Sequence, residues 1–201
     1  MIRAGLTGGM ASGKSFVASE LEKLGCHVVR ADELGHQALL PGGESYEAVI
    51  AEFGPGILND DRTINRRALG QIVFSDPAKL ERLNSLVHPV VIRREEEFIA
   101  RAARNDPSGI SIVEAAILIE TGGYRRFHRL ILAVCTEEQQ VERAMARDKA
   151  TREEVLVRLR RQMPLEEKRK YADYVIDTSG PVELTVKQTR HVYESLRSIH
   201  I

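Results

Sequence analysis

Gly8-Gly9-Met10-Ala11-Ser12-Gly13-Lys14-Ser15 is the stretch on which the fold turns. It fits G-x-x-x-x-G-K-[ST] at every fixed position. The apolar run Ile2–Leu6 precedes it, and Phe16, Val17, Leu21 and Leu24 follow at helical spacing until Gly25. A strand, a glycine-rich turn and a helix make a setting in which backbone N–H groups converge on phosphate oxygens. The helix points its positive end, roughly half an elementary charge, at the same place. Lys14 can then reach β- and γ-phosphates, and the Ser15 hydroxyl can ligate Mg²⁺. A chance Gly-rich turn gives this pattern in about one random chain of this length in a hundred. The loop residues expected to touch the nucleotide are Gly8, Gly9, Ala11, Ser12, Gly13, Lys14, Ser15 and Phe16.

Working outward, Cys26–Val29 reads as a second strand that ends at Ala31-Asp32. From about 33 to 106 the pattern is almost wholly helical, as in Leu69, Ile72, Val73 and Leu80, Leu83, Leu86, Val87. Pro41-Gly42-Gly43, Gly54-Pro55-Gly56 and Asp76-Pro77 punctuate it. Strand-like runs return at Ile110–Val113, Leu130–Val134 and Tyr174–Asp177. Thr136-Glu137-Glu138-Gln139 and Thr151-Arg152-Glu153-Glu154 are capping-box patterns that open two helices, the second running to about Gln162. A closing helix follows Pro181. Strands separated by helices predict an α/β fold of the P-loop NTPase kind, with a parallel five-stranded sheet flanked by helices. The expected organisation is a single domain over 1–201. The stretch from about 33 to 106 is expected to be a helical acceptor-binding insertion.

Composition excludes several classes. Lys plus Arg and Asp plus Glu stand at 29 each, so there is no global field to draw nucleic acid or an anionic membrane. The longest apolar runs, Ala115–Ile119 and Leu130–Cys135, are too short to span a bilayer. No signal-peptide pattern opens the chain. Cys26 and Cys135, each placed in a strand-like run, fit a reducing compartment better than a disulfide framework. A cytoplasmic protein is expected, without zinc, as a monomer or small homo-oligomer.

Asp32 is the next candidate, because ligands of open α/β sheets gather beyond the carboxyl ends of strands. A carboxylate there can accept a proton from an acceptor hydroxyl or hold Mg²⁺ through water. It can equally be a helix N-cap, and spacing leaves both readings open.

At these residues the chain resembles the dephospho-CoA kinases. The run from Gly5 through Ser15 is similar to that family's first strand and loop, and Ala31-Asp32 with His36 to its second motif, whose Asp is taken as the catalytic base. Asn65-Arg66, Leu69, Val73-Phe74, Leu83-Asn84 and His88-Pro89 resemble its acceptor-binding insertion. Ile117-Leu118-Ile119-Glu120 resembles its third-strand motif. Arg143, Arg147-Asp148, Arg158 and Gln162 are similar to its lid, which implies a helical lid over about 143–170, and Ala172-Asp173 with Val175-Ile176-Asp177 to its adenine-side segment. Arg30 stands where the family commonly has the first Asp of Asp-Ala-Asp, Ala116 replaces a usual Pro, and Ala11 and Phe16 are less common loop choices. The resemblance implies ATP as donor, Mg²⁺ as cofactor and the ribose 3′-hydroxyl of dephospho-CoA as acceptor. It implies catalytic roles for Lys14, Asp32, Arg143 and Arg147. Four apart on an expected helix, Arg143 and Arg147 share a face; charge-rich helices are otherwise solvated salt-bridge patterns, as most of 152–170 is expected to be. Two rivals remain. One is a small P-loop kinase acting on a nucleoside, nucleotide or shikimate-like alcohol. The other is a GTP-hydrolysing switch, although the guanine-reading Asn-Lys-x-Asp is missing from the sequence.

Overall fold

The structure, a computed structural model, describes residues 1–199. The strands are β1 (Ile2–Gly8), β2 (His27–Arg30), β3 (Ile110–Glu114), β4 (Arg129–Val134) and β5 (Tyr174–Asp177). The helices are α1 (Lys14–Lys23), α2 (Ala31–Ala38), α3 (Tyr46–Phe53), α4 (Arg66–Phe74), α5 (Pro77–Asn105), α6 (Glu137–Asp148), α7 (Arg152–Leu159), α8 (Leu165–Lys168) and α9 (Val182–Arg197). The strands form one sheet in the order β2-β3-β1-β4-β5. Ile2 faces Ile110 across β1 and β3, Ala4 faces Arg129 across β1 and β4, and Ile131 faces Tyr174 across β4 and β5, all parallel. The parallel register brings the carboxyl ends of β1, β3 and β4 to one edge. Strand order reverses at β1, so the crevice beyond Gly8 is where this sheet type receives ligands.

The chain divides into two compact units, Met1–Val29 with Ile99 onward, and Arg30–Phe98. In the first, α1 and α9 lie together over one core. Leu6, Val17, Leu21, Ile112, Ile131, Ile176 and Leu196 are all sealed from solvent there. Each such side chain contributes roughly 2 kcal/mol by leaving water. The second unit, whose elements are helices beyond Arg30 at the end of β2 and a bridge between Leu58 and Ile64, has its own core of Tyr46, Val49, Ile57, Ile64, Leu69 and Val73. Within it Ser45 donates to the Leu86 carbonyl at 2.9 Å, Asn65 caps α4 through the Ala68 amide, and Glu44 holds Arg93 and Arg94.

Both expected capping boxes form. Thr136 Oγ1 accepts from Gln139 N while the Gln139 side chain accepts from Thr136 N, and Thr151 and Glu154 repeat the exchange. Three expectations shift. Cys26 lies just before β2 and Cys135 just after β4, outside both strands. Burial pushes the Cys26 thiol up to about 12 and raises that of Cys135. The second strand gives way to α2 at Ala31, so Asp32 sits in the first turn of a helix instead of at a strand end. The helix opened by Thr151 stops at Leu159, short of Gln162.

Candidate active site

The glycine-rich loop spans the gap from β1 to α1. Gly13 occupies the N-cap of α1 at φ 86°, and a Cβ there would lie 2.9 Å from the Thr178 side chain, so the position needs both the left-handed backbone and the missing atom. Ala11 adopts φ 55° with a Cβ in place. That conformation costs about 1–2 kcal/mol and requires surrounding contacts to hold it. Ser12 is sealed inside the loop, and its Oγ has no hydrogen-bond partner among the described residues. Lys14 Nζ donates to the Gly9 carbonyl at 3.2 Å, folded back along the loop it serves.

Ser15 Oγ donates to Glu114 Oε1 at 2.7 Å. Glu114 closes β3, next to β1 in the sheet, which is how residues 99 apart in sequence meet. A hydroxyl and a carboxylate paired beside a phosphate loop suit Mg²⁺, which takes one or two protein oxygens and leaves its other positions to phosphate and water. Among the described residues no group of three or more His, Cys, Asp or Glu could hold a metal alone. The loop-plus-pair arrangement therefore fits a cation that arrives with its phosphates.

Arg143 reaches the loop indirectly. Its guanidinium donates to Thr178 Oγ1 at 3.1 Å and to the Thr178 carbonyl at 2.7 Å. Thr178 Oγ1 in turn lies 2.9 Å from the Ser12 carbonyl. Arg147 is placed differently: it forms a two-point bond to Asp148, at 2.7 and 3.1 Å, and Arg158 meets the same carboxylate at 2.7 Å. These guanidiniums hold the Asp148 carboxyl at about 2, below its usual 3.8. Phe16, in the first turn of α1, is exposed.

Asp32 and Glu33 lie in the first turn of α2, where helix N-cap Arg30 supplies no side-chain cap. Asp32 is thus inside the helix, and the N-cap alternative is set aside. His36, one turn on, has its basicity lowered by burial and by the Arg66 charge, partly opposed by Asp32 and Glu33. His88 is likewise lowered by burial.

Several site residues escaped the sequence reading. Glu114 carried a signal, an acid ending an apolar run. Thr178, Gln140 and Lys168 carried none, because their partners lie far along the chain; Gln162 resembles a lid residue, with no sign in the sequence of its bond to Met10. The Lys168 side chain is fully buried; its Nζ donates to Ala116 O at 2.9 Å and Glu120 Oε1 at 2.9 Å, with Gly8 O at 3.5 Å. A buried ammonium is tolerable only with such a set of acceptors.

The chain has clear relatives among known proteins. The family model described as dephospho-CoA kinase matches residues 2–183. A dephospho-CoA kinase of Aquifex aeolicus is 40% identical over 196 residues, covering 98% of each chain. A solved protein of Thermus thermophilus aligns with TM-score 0.84 at 36% identity over 96% of each chain. The solved dephospho-CoA kinase of Campylobacter jejuni aligns with TM-score 0.70 at 25% identity, covering 97% of this chain and 96% of that one.

Proposed function

The chain belongs to the dephospho-CoA kinase family, and from that premise we propose that it moves the γ-phosphoryl group of ATP to the ribose 3′-hydroxyl of dephospho-CoA, giving CoA and ADP. The observation that carries the reading is the gathering of Lys14, Ser15 and Glu114 where β1 and β3 end beside the glycine-rich loop.

In this reading the loop amides and Lys14 bind the β- and γ-phosphates, Lys14 leaving the Gly9 carbonyl to do so. Ser15 and Glu114 would hold Mg²⁺, which supplies charge neutralisation between the phosphate oxygens when bound. Asp32 orients the acceptor hydroxyl and takes its proton. Arg143 and Arg147 stabilise charge on the transferring group, Arg147 by exchanging Asp148 for phosphate oxygens. The helical stretch from about 33 to 106 is the acceptor-binding insertion of one functional domain, and about 143–170 is the lid that keeps water from competing as acceptor. A cytoplasmic setting and a monomer or small oligomer complete the proposal; no helix among the described residues is long and apolar enough to cross a membrane.

The test is to incubate the protein with ATP, Mg²⁺ and dephospho-CoA and to look for CoA by mass spectrometry. CoA is the expected product. No CoA alongside turnover of another alcohol would reject the acceptor. Asp32→Asn is expected to lower kcat about a hundredfold or more while nucleotide affinity stays within about threefold; unchanged kcat would remove Asp32 from the chemistry.

A further inference from the structure

Met10 belongs to the glycine-rich loop, yet its side chain is buried with Val141 and Ala144 of α6 and Val155 of α7, with Leu156 and Leu159 packed around them. Its main chain is held as firmly. The Met10 N–H donates to Gln162 Oε1 at 2.8 Å, and Gln140 Nε2 donates to the Met10 carbonyl at 2.7 Å. Gln140 is only 6% exposed, so that amide is committed to the loop and not to solvent. It comes so near that a Cβ on Gly9 would sit 2.3 Å from Nε2; the bare backbone at Gly9 is what admits it. On the far side of Met10 stands Ala11 in its left-handed conformation, a state that needs its neighbours fixed.

We infer that Gln140 and Gln162 are positioning residues for the phosphate-binding loop. They hold both polar groups of the Met10 main chain, keep Ala11 in its left-handed turn, and tie the loop's concave shape to the packing of α6 on α7. Loop and lid base then share one small core, and what loosens one loosens the other. The inference rests on the nucleotide reading of the loop given above.

The two glutamines have opposite duties, which makes the idea sharp. Position 162 must accept a hydrogen bond from an amide; position 140 must donate one to a carbonyl. Glutamate matches glutamine in size but only accepts when ionised. It therefore preserves the bond at 162 and sets oxygen against oxygen at 140. A pair of residues that merely filled space would not tell these substitutions apart.

The experiment measures the affinity of a fluorescent ADP analogue with Mg²⁺ for Gln162→Glu, Gln162→Met, Gln140→Glu and Gln140→Met. Melting temperature is recorded for each, and KM for ATP and for dephospho-CoA is measured separately. Gln162→Glu is expected within about threefold of the parent. The other three are expected to bind about tenfold more weakly, the effect of leaving one buried main-chain group unpaired. KM for ATP should rise with them while KM for dephospho-CoA does not. Equal losses in the two Glu variants, or Met variants that bind like the parent, overturn the inference. If Gln140→Glu does not fold, the 162 pair still decides, since Met must weaken binding there and Glu must restore it. Lys14→Ala in the same assay separates the two levels. Full affinity in that variant defeats the nucleotide reading, whereas a loss there with unaffected glutamine variants defeats only the positioning role.

Discussion

Glu114 and Gly13 show how much of the site hangs on single atoms. Glu114→Gln keeps the shape and one acceptor oxygen but removes the charge that would attract a divalent cation beside Ser15. The expected outcome is about a tenfold rise in the Mg²⁺ concentration needed for half-maximal turnover, with affinity for metal-free nucleotide little changed. A titration that superimposes on the parent's would exclude Glu114 from metal binding. Gly13→Ala adds a methyl carbon 2.9 Å from Thr178 at φ 86°. Strain and displacement together are expected to cost about 1–3 kcal/mol of stability, read in urea unfolding, and to abolish nucleotide binding. Retained binding would mean the loop tolerates rebuilding at its pivot.

At the scale of elements, α6 and α7 are joined by a charged knot: Arg147 and Arg158 on Asp148, and Arg152 paired in two-point fashion with Glu138. Asp148 titrates at about 2 when folded and near 3.8 otherwise, so its contribution to stability is complete above the higher value. It drains away as pH falls towards the lower one. Melting temperatures of the parent and Asp148→Asn are therefore expected to differ at neutral pH and to converge between about pH 4 and pH 2. A constant gap across that range would show that the knot adds nothing through its charge. These helices were among the most legible parts of the sequence, because Thr136 and Thr151 announce themselves locally through residues three positions away. The loop, its strand and its helix were legible for the same reason. The glutamine clamp was not: Gln140 looks like an ordinary member of a charged surface and Gln162 only like a lid residue, and at 130 and 152 residues from Met10 neither shows its bond to the loop. Asp32 was placed by type but not by context: β-branched Val28 and Val29 signal a strand without marking where Arg30 hands over to a helix.

On the scale of the whole molecule, two cores built from separate side-chain sets imply two levels of local stability. Ile57→Ala empties a fully buried position in the Arg30–Phe98 core and is expected to cost that unit about 2–5 kcal/mol. Hydrogen exchange should quicken at amides within Arg30–Phe98 while β1, β3 and β4 stay protected. Protection lost everywhere together would mean one cooperative body. Lys168 carries a further consequence. Its ammonium reaches Gly8 across 160 residues, and Met163 N meets Glu120, which also pairs with Lys168. Contacts of such long range form late, after the chain between them has been made. While the ribosome is still extending the polypeptide, the glycine-rich turn emerges some 160 residues ahead of the Lys168 that braces it. Nascent chains stalled before residue 160 should fail to retain an ATP-affinity resin, and those released beyond 185 should bind it. The nascent chain would thus be kept from capturing nucleotide until the segment carrying Lys168 has followed the loop out.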